Sequence, residues 1–289
     1  MLFVLYVVCA AIVVFFCAVL TAEIFFRRAG FGEFPLYTIS EPAGYRMRSS
    51  QRGVFRRRHS WAYDLHGMRF EAPLTSLANI NVLLGDSIVE GGLGLGQSET
   101  LAYQLQAASG ETVYPIACPG WALSNALSMF TSFDGWQEAK RLLLVINTDD
   151  FDTIASASNE LSFPTKYPWC LTLWLARRYL YRRNLWRWPD RDIEAVSHNS
   201  AIVRAENQTR FREIAEIFRG KIIIVRYPRL NEDPRKESFF DTLKGSTKNV
   251  AMIDIDIATI WSEECYADDI HPNGLGVELL SRLLLEKVF

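Results

Sequence analysis

The chain has 289 residues, 49% apolar and 22% charged, with a net charge of −2. That length holds one α/β domain with a full core, and that composition excludes wholesale disorder. Arginines cluster from Arg27 to Ser60 and from Arg177 to Arg191, but no binding motif accompanies them and the rest of the chain is acidic, which excludes nucleic acid as a partner.

Leu2 to Ala22 carry no charge, and Glu23 is the first ionisable side chain. About 20 apolar residues suffice to cross a bilayer as a helix. A cleavable signal peptide normally has a basic start, a shorter apolar region and a small-residue cleavage site. Here the run continues to Phe26 and ends on Arg27 and Arg28. The sequence therefore predicts a retained transmembrane anchor over residues 1–28, with membrane lipid as one partner. Taken alone, the arginines that follow would keep the main domain in the cytoplasm.

Residues 29–77 are rich in Gly, Pro and Arg and read as a loop-rich basic arm. From Ile80 the pattern changes to strand alternating with helix. Ile80–Leu84, Val113–Ala117, Leu142–Ile146, Ile222–Val225 and Val250–Ile255 are short apolar runs, as expected of strands buried on both faces. Helices are predicted over about Thr100–Ala108, Ala122–Phe133, Ala201–Phe218 and Gly274–Val288. The fold class is α/β: a flavodoxin-like three-layer α/β/α sandwich with a five-stranded parallel sheet, over residues 78–289. An insertion at about 151–200 interrupts it, with Trp169, Trp174, Trp186 and Trp188 interleaved with arginines. It reads as a helix with a packed aromatic face and a solvated basic one, or as a platform for a polymer or the membrane surface.

The five cysteines form no C-x-x-C and no Cys/His cluster, so neither a zinc site nor any other metal or cofactor is expected. Gly91, Gly92, Gly94 and Gly96 invite a phosphate-loop reading, but no Lys-Ser/Thr follows.

The first strand runs into Gly85-Asp86-Ser87, which places a serine at the open end of the sheet, where ligands of such sheets bind. This is not the G-x-S-x-G elbow, because Val89 stands two residues after Ser87. Near the other end stands Asp268-Asp269-Ile270-His271. Serine needs a base to become a nucleophile, and the base needs an anionic partner. Asp268 and His271 lie three apart in one turn before the last helix, so a single loop can supply both.

These blocks resemble the SGNH hydrolase superfamily, also called GDSL esterases and lipases. The resemblance implies a catalytic triad of Ser87, His271 and Asp268. It also implies an oxyanion hole whose second block is Ala117-Cys118-Pro119-Gly120-Trp121, with Gly120 donating its backbone N–H. The third block departs from the family's Gly-x-Asn-Asp, since this chain has Asn147-Thr148-Asp149-Asp150 and a carboxylate stands where an amide donor is expected. An ionised carboxylate only accepts hydrogen bonds and opposes a developing oxyanion. Three readings stay open: Asn147 donates through a shifted turn, Asp149 is held protonated, or the hole rests on the N–H groups of Ser87 and Gly120. The front segments Gly44-Tyr45-Arg46 and Gly67-Met68-Arg69 resemble a membrane-anchored bacterial subgroup. That subgroup implies an exported, periplasmic esterase or O-acyltransferase acting on acylated carbohydrate or cell-surface polysaccharide. The alternative is a non-catalytic subunit that partners polysaccharide synthesis or export proteins.

Overall fold

The computed structural model describes residues 1–151, 153, 155, 159–183, 185, 200–230, 249–255 and 261–289. Trp186 and Trp188 of the predicted insertion lie outside the described residues. Helix α1 spans Leu2–Arg28 and buries none of its residues. Among the described residues it is the one helix long and apolar enough to cross a membrane.

The arm is more ordered than its composition suggests. It holds two antiparallel hairpins: β1 (Tyr37–Ser40) pairs with β2 (Gly44–Met47), and β3 (Gln51–Phe55) pairs with β4 (His59–Tyr63). The second hairpin turns through Arg56 and Arg57, both at positive φ (51° and 55°). Asn and Gly are the usual signals for such a turn, and arginine is not, which is why the sequence pattern hides this hairpin.

The main sheet consists of β5 (Asn81–Gly85), β6 (Val113–Ala117), β7 (Arg141–Ile146), β8 (Lys221–Arg226) and β9 (Val250–Asp254). Its order is β6-β5-β7-β8-β9, with every pairing parallel. This is the doubly wound order in which the first strand sits inside the sheet and the chain reverses direction beside it. The helices are α2 (Ser87–Glu90), α3 (Leu101–Ser109), α4 (Leu123–Thr131), α5 (Leu171–Arg182), α6 (Ser200–Ile217) and α7 (Gly274–Val288).

Alternate strand residues face opposite sides, and two cores follow from that. Val82, Leu84, Ile116, Leu144 and Ile224 pack with Leu127 of α4, Phe211 of α6 and the arm's Tyr45, Met47 and Trp61. Leu83, Ala117, Val145 and Ile223 pack on the other face with Leu105 of α3 and Leu280 and Leu284 of α7. The arm thus completes one core layer beside the carboxyl ends of the strands.

Candidate active site

The carboxyl ends of β6, β5 and β7 lie side by side, and each leads into one block of the candidate site. After β5 the chain turns into α2 at Asp86, with Ser87 as the first helical residue. The turn is tight: a Cβ on Gly85 would lie 2.6 Å from a Val89 methyl and 2.9 Å from the Val145 carbonyl oxygen. Asp86 caps the helix, its Oδ1 accepting from the Ile88 N–H at 2.8 Å. Burial pushes the Asp86 carboxyl up to about 6, against the opposing effects of that hydrogen bond and of nearby His271.

The second component arrives from the far side of the sheet. β9 is an edge strand three places away from β5, so the loop before α7 must reach back across the strand ends. It is tied there by the Leu230 N–H, which donates to Asp269 O at 2.9 Å, and by the Tyr266 hydroxyl, which donates to Pro228 O at 2.6 Å. Within the loop, Asp268 Oδ1 accepts from the backbone N–H groups of Ile270 (3.0 Å) and His271 (2.8 Å). Asn273 then caps α7 through the Gly276 N–H at 3.1 Å.

This folding brings the three residues into a relay. His271 Nδ1 lies 2.8 Å from Asp268 Oδ2, and His271 Nε2 lies 2.8 Å from Ser87 Oγ. With a carboxylate on Nδ1, the neutral ring carries its proton there and leaves Nε2 to accept from the serine hydroxyl. Partial burial works against ionisation of Asp268, but the hydrogen bonds from His271 and Ile270 outweigh it and hold the carboxyl below its usual range. The His271 and Asp268 side chains are 40% and 51% exposed, so the relay opens to solvent.

The oxyanion candidates divide. Gly120 sits three residues beyond β6 with φ +77°, in the left-handed region that favours glycine. Asn147 directly follows β7 and is buried. Its N–H donates to Asp150 Oδ2 at 2.9 Å, and its side-chain amide reaches Asp86 Oδ2 at 3.5 Å, beside the serine. The side chain of Asp149 lies outside the described residues. Among the described residues, no group of His, Cys, Asp and Glu is arranged to hold a metal ion.

No family model and no curated protein sequence matches the chain. Solved structures do. An acetyl xylan esterase from the rumen bacterium Butyrivibrio proteoclasticus matches over 75% of this chain and 64% of its own, at 12% identity and a TM-score of 0.42. A family two carbohydrate esterase from Cellvibrio japonicus matches over 76% and 62%, at 14% identity and a TM-score of 0.43. A GDSL-like lipase from Bacteroides thetaiotaomicron matches over 75% and 90%, at 13% identity and a TM-score of 0.38. The likeness is one of fold alone. The chain spans under two thirds of the length of either esterase.

Several residues that shape the site escape sequence reasoning. The Tyr45 hydroxyl donates to Pro119 O at 3.1 Å, and the Trp121 indole N–H donates to Tyr45 O at 2.8 Å, so the arm grips the loop that carries Gly120. Arg69 reaches around the loop after α2, donating to the carbonyls of Glu90 (3.0 Å), Gly92 (2.5 Å) and Leu95 (2.7 Å). The segments Gly44-Tyr45-Arg46 and Gly67-Met68-Arg69 are the only sequence signal for these contacts, and nothing in them specifies a partner.

Proposed function

We propose that this protein is a serine-dependent ester hydrolase or O-acyltransferase of SGNH type, acting on acylated carbohydrate. The carrying observation is the continuous relay Ser87 Oγ, His271 Nε2, His271 Nδ1, Asp268 Oδ2, with 2.8 Å at both junctions. Ser87 attacks an ester carbonyl while His271 Nε2 takes its proton, and Asp268 stabilises the imidazolium. The same proton passes to the departing alcohol, leaving an acyl-serine. Water then regenerates the enzyme as an esterase, or a sugar hydroxyl accepts the acyl group. Gly120 and the Asn147 side-chain amide are the proposed donors to the developing oxyanion, and each such donor is worth about 10²–10³ in turnover. The carbohydrate substrate class follows from the resemblance of the front segments.

A fluorophosphonate probe and p-nitrophenyl acetate test the chemistry. The wild type should be labelled and should hydrolyse the ester, and Ser87→Ala should do neither while melting as before. Activity that survives the substitution would sink the triad. The carboxylate of Asp149 in place of an amide favours a second reading, a non-catalytic subunit of a polysaccharide assembly; a wild type that the probe never labels would support it.

The proposal places α1 as a retained anchor and the catalytic domain on the exported side. A C-terminal alkaline phosphatase fusion should be active in bacteria. A silent phosphatase with a fluorescent cytoplasmic reporter at the same position would reverse the topology.

A further inference from the structure

The end of α1 is built into the domain through the segment that begins α5. Glu23 accepts from the backbone N–H groups of Leu171 (3.0 Å) and Thr172 (2.7 Å) and from the Thr172 hydroxyl (3.0 Å). Arg27 donates to Glu23 at 2.6 Å and to the carbonyls of Pro168 (3.3 Å) and Trp169 (3.2 Å). A carboxylate from the last turns of one helix therefore caps the first turn of another, and the two are locked in depth.

That depth is set by α1. Its uncharged stretch from Leu2 to Ala22 covers about 30 Å at about 1.5 Å per residue, the thickness of a bilayer's hydrocarbon core. Glu23 comes next in the chain, so the residues it holds stand at the level of the lipid headgroups.

The chemistry of α5 suits that level. One face packs inward: Leu171 is buried in a small cluster with Phe34 and Leu36, and Trp174 stacks on Phe34 at 4.9 Å. The opposite side stays uncovered: the Trp169 indole is 89% exposed, and Leu173 and Ala176, four and seven residues on, are exposed too. From Leu161 to Leu185 the sequence has Lys166, Arg177, Arg178, Arg182 and Arg183 and not one acidic residue. Tryptophan favours the interface between lipid and water, and clustered arginine favours anionic headgroups.

We propose that the Trp169–Arg183 segment is a membrane-surface element, seated on the anionic phospholipid headgroups of the bilayer that α1 crosses. The Trp169 and Leu173 side chains enter the interface and the exposed Arg177, Arg182 and Arg183 meet phosphate, while Arg178 packs over the Trp174 ring. This rests on the reading of α1 as a retained anchor. One consequence reaches the candidate site. The ring of Phe163, a few residues before Trp169, comes within 3.4 Å of where a Gly120 side chain would begin, so the stretch that leads into the seated segment adjoins the loop carrying Gly120.

The test uses the full chain in bilayer discs of phosphatidylcholine, with or without phosphatidylglycerol, carrying lipids brominated near the headgroup or at the chain end. Tryptophan emission should be quenched more by headgroup-proximal bromine, and Trp169→Phe should remove much of that quenching. Arg182→Gln with Arg183→Gln should abolish the extra amide-exchange protection that phosphatidylglycerol confers on α5. Quenching unchanged by Trp169→Phe, or protection indifferent to phosphatidylglycerol, would overturn the proposal. Resistance of the chain to alkaline extraction from membranes separates the two layers. A chain that resists extraction yet shows no Trp169 quenching keeps its anchor and loses the surface element; a chain that is extracted loses the anchor reading itself.

Discussion

Arg69 and Glu90 form an ion pair of 3.7 Å in which both side chains are only 2% exposed. The pair joins the basic arm to the last residue of the helix that begins at Ser87. The Tyr63 hydroxyl also donates to the Glu90 carboxylate, and the Gly92 N–H donates to its other oxygen at 2.8 Å. The short helix behind the candidate nucleophile is therefore held from outside the sheet domain.

Removing one partner of a buried pair strands the other charge and typically costs about 3–5 kcal/mol. Arg69→Met should lower the unfolding free energy by that order in chemical denaturation. Adding Glu90→Gln should return part of the loss, because the stranded carboxylate disappears. Strictly additive losses in the double variant would show that the two charges are not coupled.

Asp86 provides a pH test with a definite sign. Burial raises its folded pKa to about 6, above an unfolded value of about 3.9. The folded state thus holds the proton more tightly, so the carboxyl favours folding below the unfolded value. That contribution is lost as pH rises through the folded value. An asparagine side chain at this position would stay neutral and could still cap α2. Asp86→Asn should therefore gain stability relative to the parent between about pH 4 and about pH 7, on the order of 2 kcal/mol. Urea unfolding across that range decides it: a constant difference would mean that Asp86 does not titrate differently in the two states.

Gly120 is confined by the arm as well as by its backbone. A Cβ there would lie 2.9 Å from the Tyr45 hydroxyl oxygen, at a φ of +77°. The backbone conformation alone costs an alanine about 1–2 kcal/mol. Gly120→Ala should lower both the melting temperature and ester turnover, and Tyr45→Phe in the same chain should recover part of the loss by removing the crowding oxygen. If the second change only adds to the damage, the contact between arm and loop is not what limits this position.

The legible part of the molecule is the part written in short-range pattern. Runs such as Leu142–Ile146 reveal buried strands because every residue must be apolar when both faces are covered, and all five predicted strands appear within a residue or two. Gly85-Asp86-Ser87 and Asp268 with His271 are legible for the same reason, since each is a local turn with its own hydrogen bonds. The arm's hairpins are not legible, because arginines occupy the turn at Arg56 and Arg57 and partly buried strands alternate weakly.

By itself the sequence determined the strands of the main sheet, the apolar leader and the candidate reactive groups, all of which depend on neighbours along the chain. Only the tertiary structure decided which groups meet. The 2.8 Å contact between Ser87 and His271 spans 184 positions, and the cap of Glu23 on Thr172 spans 149. Such contacts depend on strand order and on how far a loop reaches across the sheet. Polar residues such as Arg69 and Glu23 follow no periodicity that names a partner. Their pairing emerges only when burial removes water and leaves one another as the available hydrogen-bonding groups.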